Sequence, residues 1–125
     1  MRNSLLTLLL ATAGLLGAQS KNLDIYWIDV EGGASTLYVS PSGESMLVDT
    51  GYETGDRDSK RIFAAAQAAG LKKIDYVVIS HYHADHAGGL PGVAKLIPLG
   101  KVYGRSDDEL EKANEKWRKD RKSVV

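Results

Sequence analysis

From residue 23 the chain alternates in the period of an extended strand. Leu23, Ile25 and Trp27 fall on one side, and Asp24, Tyr26 and Ile28 on the other, so one or both faces are expected to be covered. Glu31-Gly32-Gly33 interrupts this pattern, and residues 34–39 resume it as a second strand. Pro41-Ser42-Gly43-Glu44 has turn chemistry, since proline presets φ and glycine tolerates the left-handed region. Residues 45–48 follow as a third strand, and the three predict an antiparallel meander that ends at Asp49-Thr50-Gly51. Residues 56–70 carry helical spacing: Asp56 or Asp58 as cap, Ile62, Ala65, Ala66 and Ala69 as a core-facing apolar stripe, and Gly70 as the stop. Lys72-Lys73 reads as a solvated turn. The β-branched run at residues 74–79 then reads as a buried strand. Beyond it, a short helix over residues 91–96, with Pro91 in its first turn, and a strand at Lys101-Val102-Tyr103 complete the pattern. Strands followed by helix, strand, helix and strand predict an α/β layered unit over residues 21–104, with an antiparallel or mixed sheet and flanking helices.

Both ends differ from this central part. Met1-Arg2-Asn3-Ser4 is a short basic start, residues 5–18 are apolar, and Ala18-Gln19-Ser20 offers small residues at the positions a signal peptidase reads. Fourteen apolar residues are too few for a bilayer span, which needs about 20. Residues 1–20 therefore read as a signal peptide cleaved after Ser20, which predicts a secreted or periplasmic chain with no stable membrane anchor. An uncleaved anchor is the alternative. At the other end, residues 105–125 read as a charged helical tail. Ser106 and Glu109 match a capping box, Leu110, Ala113 and Trp117 form a thin apolar stripe, and basic residues gather toward the carboxyl end. Its paired charges, Asp108 with Lys112 and Glu115 with Lys119, read as a solvated helix face rather than a nucleic-acid surface.

Composition narrows the class. With 125 residues, 43% hydrophobic and 26% charged, the chain has room for one small domain and is not disordered throughout. Its formal net charge of zero gives no global pull toward nucleic acid or anionic lipid. Without cysteine there is neither a disulfide nor a thiolate ligand or nucleophile.

The candidate chemistry lies at the end of the buried strand. All three histidines of the chain fall within His81-Tyr82-His83-Ala84-Asp85-His86, followed closely by Gly88-Gly89. Imidazole and carboxylate are ordinary ligands of zinc and similar ions. A lone surface histidine is usually only a polar side chain, but three with an aspartate at the end of a strand argue for metal. If the chain stays extended through His83, His81 and His83 point to the same side, while Asp85 and His86 sit on a turn free to reach a second position. This spacing suits two adjacent ions better than one. Gly88-Gly89 is expected to let the backbone pass close to the metals.

His81-x-His83-x-Asp85-His86, with Ile79-Ser80 before it and Gly88-Gly89 after it, resembles the signature of the metallo-β-lactamase-fold hydrolases. Leu47-Val48-Asp49-Thr50-Gly51 is similar to that family's upstream strand and Asp-Gly segment, and the resemblance covers roughly residues 23–104. It implies a partial αββα sandwich, of which this chain shows the first half. It also implies that His81 and His83 hold one zinc ion and that Asp85 and His86 hold a second. Asp49 would brace the metal-binding loop from behind, a role loop aspartates more often exchange for simple capping. A water or hydroxide between the ions would attack an ester, thioester, lactam or phosphodiester, and Asp85 would handle the proton. The family draws further ligands from later in its chain: a histidine for the first ion, and a bridging aspartate with another histidine for the second. No histidine follows His86, and Asp107, Asp108 and Asp120 lie in the charged tail. The expectation is therefore a truncated amino-terminal half, weakly active or inactive, marginally stable, and able to self-associate through an uncovered sheet face. Two other readings stand beside a secreted hydrolase of a small ester-type substrate: an inactive metal-binding fragment, and an exported domain related to DNA uptake.

Overall fold

The computed structural model describes residues 22–106. The expected leader at residues 1–20 and the charged helix beyond Ser106 lie outside the described residues. Eight elements occur in the order β1 (Asp24–Trp27), β2 (Thr36–Val39), β3 (Ser45–Val48), α1 (Arg57–Ala68), β4 (Ile74–Val78), α2 (Ala84–Ala87), α3 (Leu90–Leu96) and β5 (Leu99–Tyr103). The strands form one mixed sheet in the order β1-β2-β3-β4-β5. No helix separates the first three, and β1–β2 and β2–β3 pair antiparallel, as the meander predicts. From β3 onward each connection carries a helix, and β3–β4 and β4–β5 pair parallel.

The period-two pattern decides which side of the sheet is buried. Leu37, Leu47 and Val77 stand in register across β2, β3 and β4, all fully buried. Ile62 and Ala66 of α1 and Val93 of α3 close over the same side and join them in one cluster. Each such aliphatic side chain contributes about 1.5–3 kcal/mol when fully removed from water. Tyr26 of β1, opposite Leu37, packs against this cluster. Residues of the other phase face away from the helices: Ile25, Trp27, Met46 and Tyr103 are 43%, 79%, 37% and 50% exposed. Among the described residues nothing covers this side, so β1 has one covered face rather than two. Tyr76 and Tyr103 stack on it with ring centroids 6.5 Å apart.

Two local expectations need correction, and Gly88-Gly89 has a packing role of its own. α1 has no side-chain cap: Asp56 sits at the N-cap with φ 60° and makes no capping hydrogen bond. Asp58 is inside the first turn, fully buried, and accepts the Tyr52 amide at 2.7 Å and Arg57 Nε at 2.6 Å. The strand does not stay extended through His83. β4 ends at Val78, and α2 begins at Ala84 with His83 as its N-cap, so Asp85 and His86 lie on a one-turn helix and not on a free turn. Finally, Gly88-Gly89 packs against the loop after β3. A Cβ on Gly89 would collide with the Thr50 carbonyl, and the Gly89 amide donates to Gly51 O at 3.0 Å.

Candidate metal centre

Three chain segments meet at the carboxyl ends of β3 and β4, the end where open α/β sheets place their sites. The first is residues 49–52, which follow β3. Asp49 extends the parallel ladder by donating its amide to Val78 O at 2.9 Å, then turns with φ 60°. Aspartate is among the few side chains that tolerate this left-handed region. The second segment, residues 79–89, carries the histidines. The third is the β1–β2 connection, whose Ala34 amide donates to Asp85 O at 3.1 Å. Gly33 lies so close to that same carbonyl that a Cβ there would collide with it.

The histidine segment is therefore held by its backbone from two sides. Thr50 donates both its amide, at 2.6 Å, and its hydroxyl, at 3.0 Å, to the His86 carbonyl. Within the segment, His86 and Ala87 donate their amides to His83 O, both at 3.0 Å, which closes the turn of α2. Tyr82 points the other way and donates its hydroxyl to Arg105 O at 2.8 Å, tying the segment to the chain after β5.

These constraints bring the three imidazoles together. The rings of His81 and His83 have centroids 4.6 Å apart, edge to face, and those of His81 and His86 are 3.9 Å apart. Asp85 Oδ2 lies 3.6 Å from His86 Nε2. Burial favours the neutral form of the His81 ring, and the neighbouring His86 and His83 rings push the same way, so its pKa lies below the usual imidazole value. A neutral ring is the form that binds metal.

Behind the rings sits Asp49, 4% exposed. Its Oδ1 accepts the Ser80 amide at 2.8 Å. Its Oδ2 accepts the Ser80 hydroxyl at 2.7 Å and lies 2.8 Å from His86 Nδ1. A carboxylate only accepts, so His86 carries its proton on Nδ1 and leaves Nε2 for another partner. The donor set thus has the chemistry zinc takes: imidazole nitrogens with one ring already oriented from behind, and a carboxylate beside that ring's second nitrogen. As they stand, no three His, Asp or Glu side chains among the described residues form a group able to hold an ion. His83 is exposed, and Asp85 is half-buried beside His86.

The chain matches the profile of the Metallo-beta-lactamase superfamily over residues 28–124. It belongs to that superfamily. Among curated relatives, a metal-dependent hydrolase from Polynucleobacter asymbioticus is 31% identical over 110 residues, covering 82% of this chain and 36% of the relative. The cytoplasmic hydroxyacylglutathione hydrolase of Arabidopsis thaliana is 39% identical over 70 residues, covering 56% of this chain and 24% of the relative. Integrator complex subunit 11 of Danio rerio is 30% identical, covering 57% and 13%. Among solved structures, a motif mutant of the Cronobacter sakazakii metallo-beta-lactamase superposes with TM-score 0.55 and 27% identity, over 70% of this chain and 33% of that one. The chain thus spans about a third or less of each of these proteins. The mixed sheet with helices on one side is this superfamily's fold as far as the described residues carry it.

Two contributors to the site escaped the sequence reading. In the sequence Ser80 is only a flank of the histidine motif, although a hydroxyl next to a ligand-type histidine is itself a signal. Asp58 has the residue type of a cap, yet it anchors the Tyr52 amide in the loop whose Thr50 grips His86.

Proposed function

We propose that this chain forms the metal-binding part of a metal-dependent hydrolase, with His81 and His83 as ligands of one zinc ion and Asp85 and His86 as ligands of a second. The observation that carries this reading is the gathering of three imidazoles, with centroids 3.9 and 4.6 Å apart, beside Asp85 and over a buried aspartate. Zinc held by these residues would supply Lewis acidity and would lower the pKa of a bound water to about 7. The chain's own residues do the rest. Asp49 keeps the His86 proton on Nδ1, Thr50 fixes the backbone of His86, and Asp85, half-buried beside His86 Nε2, would take a proton from an attacking water. The substrate class is an ester, thioester, lactam or phosphodiester, in line with the hydrolases among its relatives. The three histidines are all the imidazoles the chain has, so we expect turnover by the chain alone to be low. The apolar residues 5–18 support export, with the mature chain starting after Ser20.

The test is elemental analysis of the full chain, purified without chelators and dialysed against limiting zinc. At least one equivalent is expected in the wild type, and a fall to background in the His81→Ala, His86→Ala double variant. Zinc content unchanged by that double substitution would overturn the assignment.

A further inference from the structure

We infer that Ser80 is a positioning residue that couples both proposed ligand pairs to the single carboxylate of Asp49. Its hydroxyl lies 2.7 Å from Asp49 Oδ2, 3.0 Å from His81 Nδ1 and 3.5 Å from His86 Nδ1. A hydroxyl has one proton to give. The partner at 2.7 Å is a buried carboxylate, and a charge-assisted bond outcompetes a neutral one, so the proton goes to Asp49. Toward His81 the serine oxygen is then an acceptor, and the 3.0 Å bond requires that His81 carry its proton on Nδ1. Asp49 imposes the same tautomer on His86 directly, at 2.8 Å. One carboxylate thus frees Nε2 on both rings, on His86 by contact and on His81 through the serine. The Ser80 amide, held by Asp49 Oδ1 at 2.8 Å, keeps the hydroxyl in place. His81 and His86 belong to different ligand pairs in the proposed site, so this relay sets the orientation of both pairs from one buried residue.

The consequence for metal affinity rests on the proposed zinc site, whereas the tautomer does not. The experiment therefore has two arms on the full chain. In the metal-free protein, long-range proton–nitrogen spectra of the imidazoles, recorded where the rings are neutral, report the protonated nitrogen. The wild type is expected to show Nδ1–H on His81 and His86. Ser80→Ala should release His81 to a mixture of tautomers and leave His86 on Nδ1–H, while Ser80→Thr, which keeps the hydroxyl, should restore the wild-type pattern. An unchanged His81 in Ser80→Ala, or Nε2–H on His81 in the wild type, would overturn the inference. The Ser80 amide bond to Asp49 does not need the side chain, so Ser80→Ala keeps that anchor, and the unshifted His86 signal serves as its internal control for folding. In the second arm, competition with a zinc chelator should show affinity falling about 10- to 100-fold in Ser80→Ala and returning in Ser80→Thr, the range expected for losing an outer hydrogen-bond partner of a ligand. Equal zinc affinity in all three proteins would contradict the relay. A wild type that takes up no zinc would instead overturn the proposed site, and the spectra would still decide the role of Ser80.

Discussion

Asp49 accepts three hydrogen bonds with its two carboxylate oxygens while 4% exposed, and the residues it holds belong to a different strand end. Replacing it with alanine leaves the Ser80 amide, the Ser80 hydroxyl and His86 Nδ1–H without their acceptor in a half-dry site. Ser80 is exposed and His86 half-buried, so water can replace part of what is lost, and about 0.5–1.5 kcal/mol per hydrogen bond is the scale to expect. Thermal unfolding of Asp49→Ala should show a clearly lowered Tm, and a Tm equal to wild type would contradict the placement. Asp58 makes a similar point at the other side of the loop. Asp58→Ala strands the Tyr52 amide and removes a partner of Arg57, whose remaining contacts run to Glu31 at 2.6 Å and the Val30 carbonyl at 3.4 Å. At this scale the sequence was legible in kind but not in connection. The histidines and Asp85 are metal-type donors by residue type and spacing, because few other chemistries use them so close together, whereas for Asp49 only the family resemblance pointed beyond a loop cap. That Ser80 stands between Asp49 and His81 is a matter of φ at Asp49 and of where β4 ends, and neither is written in residue type.

Elements were legible where apolar periodicity was strong. β2 and β3 follow the expected strands because each buries alternate residues, and β4 follows its β-branched run with Ile74 and Val77 fully buried. The misreadings share a physical cause, which is tertiary contact overriding local preference. Asp58 has the side chain of a helix cap, yet it turns inward because the Tyr52 amide and Arg57 bind it better than the helix end does. Gly88-Gly89 also fits against the backbone of residues 50–53, a contact that composition does not announce. Gly89→Ala tests this packing, since the added methyl meets the Thr50 carbonyl. Destabilisation of about 1–3 kcal/mol is expected from forcing the two segments apart, read as a lowered denaturation midpoint. The β3–β4 seam gives a pH prediction. Asp75 Oδ2 accepts the Ser45 amide at 2.9 Å and its hydroxyl at 3.0 Å, and Lys73 pairs with Oδ1 at 2.9 Å. The bond from Lys73 and those from Ser45 hold the Asp75 carboxyl below its ordinary pKa. A depressed folded-state value means this contribution is complete above the unfolded pKa of about 3.9 and is lost as pH falls through the lower folded value. Urea midpoints measured through that acid range should drop less steeply for Asp75→Asn than for wild type. Parallel curves would contradict the pairing.

For the whole molecule, one side of the sheet is finished and the other is not. The helix side closes over Leu37, Leu47 and Val77, whereas Ile25, Trp27, Met46 and Tyr103 leave an aromatic and aliphatic face open among the described residues. The alternation in β1 made two coverings look equally good, because a sequence records which residues are apolar and not which of them find a partner. A face of this kind should bind a hydrophobic dye in the folded state. Trp27→Ser with Met46→Ser should weaken that binding and leave Tm nearly unchanged, since neither side chain is part of the buried cluster. Absence of dye binding by the wild type would show the face to be covered in solution. The chain's membership of the metallo-beta-lactamase superfamily, and the third or less of its relatives that it spans, make the metal centre the property by which the account stands or falls. The most direct test is X-ray absorption at the zinc edge on the full chain loaded with one equivalent of zinc. We predict a nitrogen and oxygen shell at about 2.0–2.1 Å, with the outer scattering of at least two imidazoles. A spectrum with oxygen neighbours alone would contradict it.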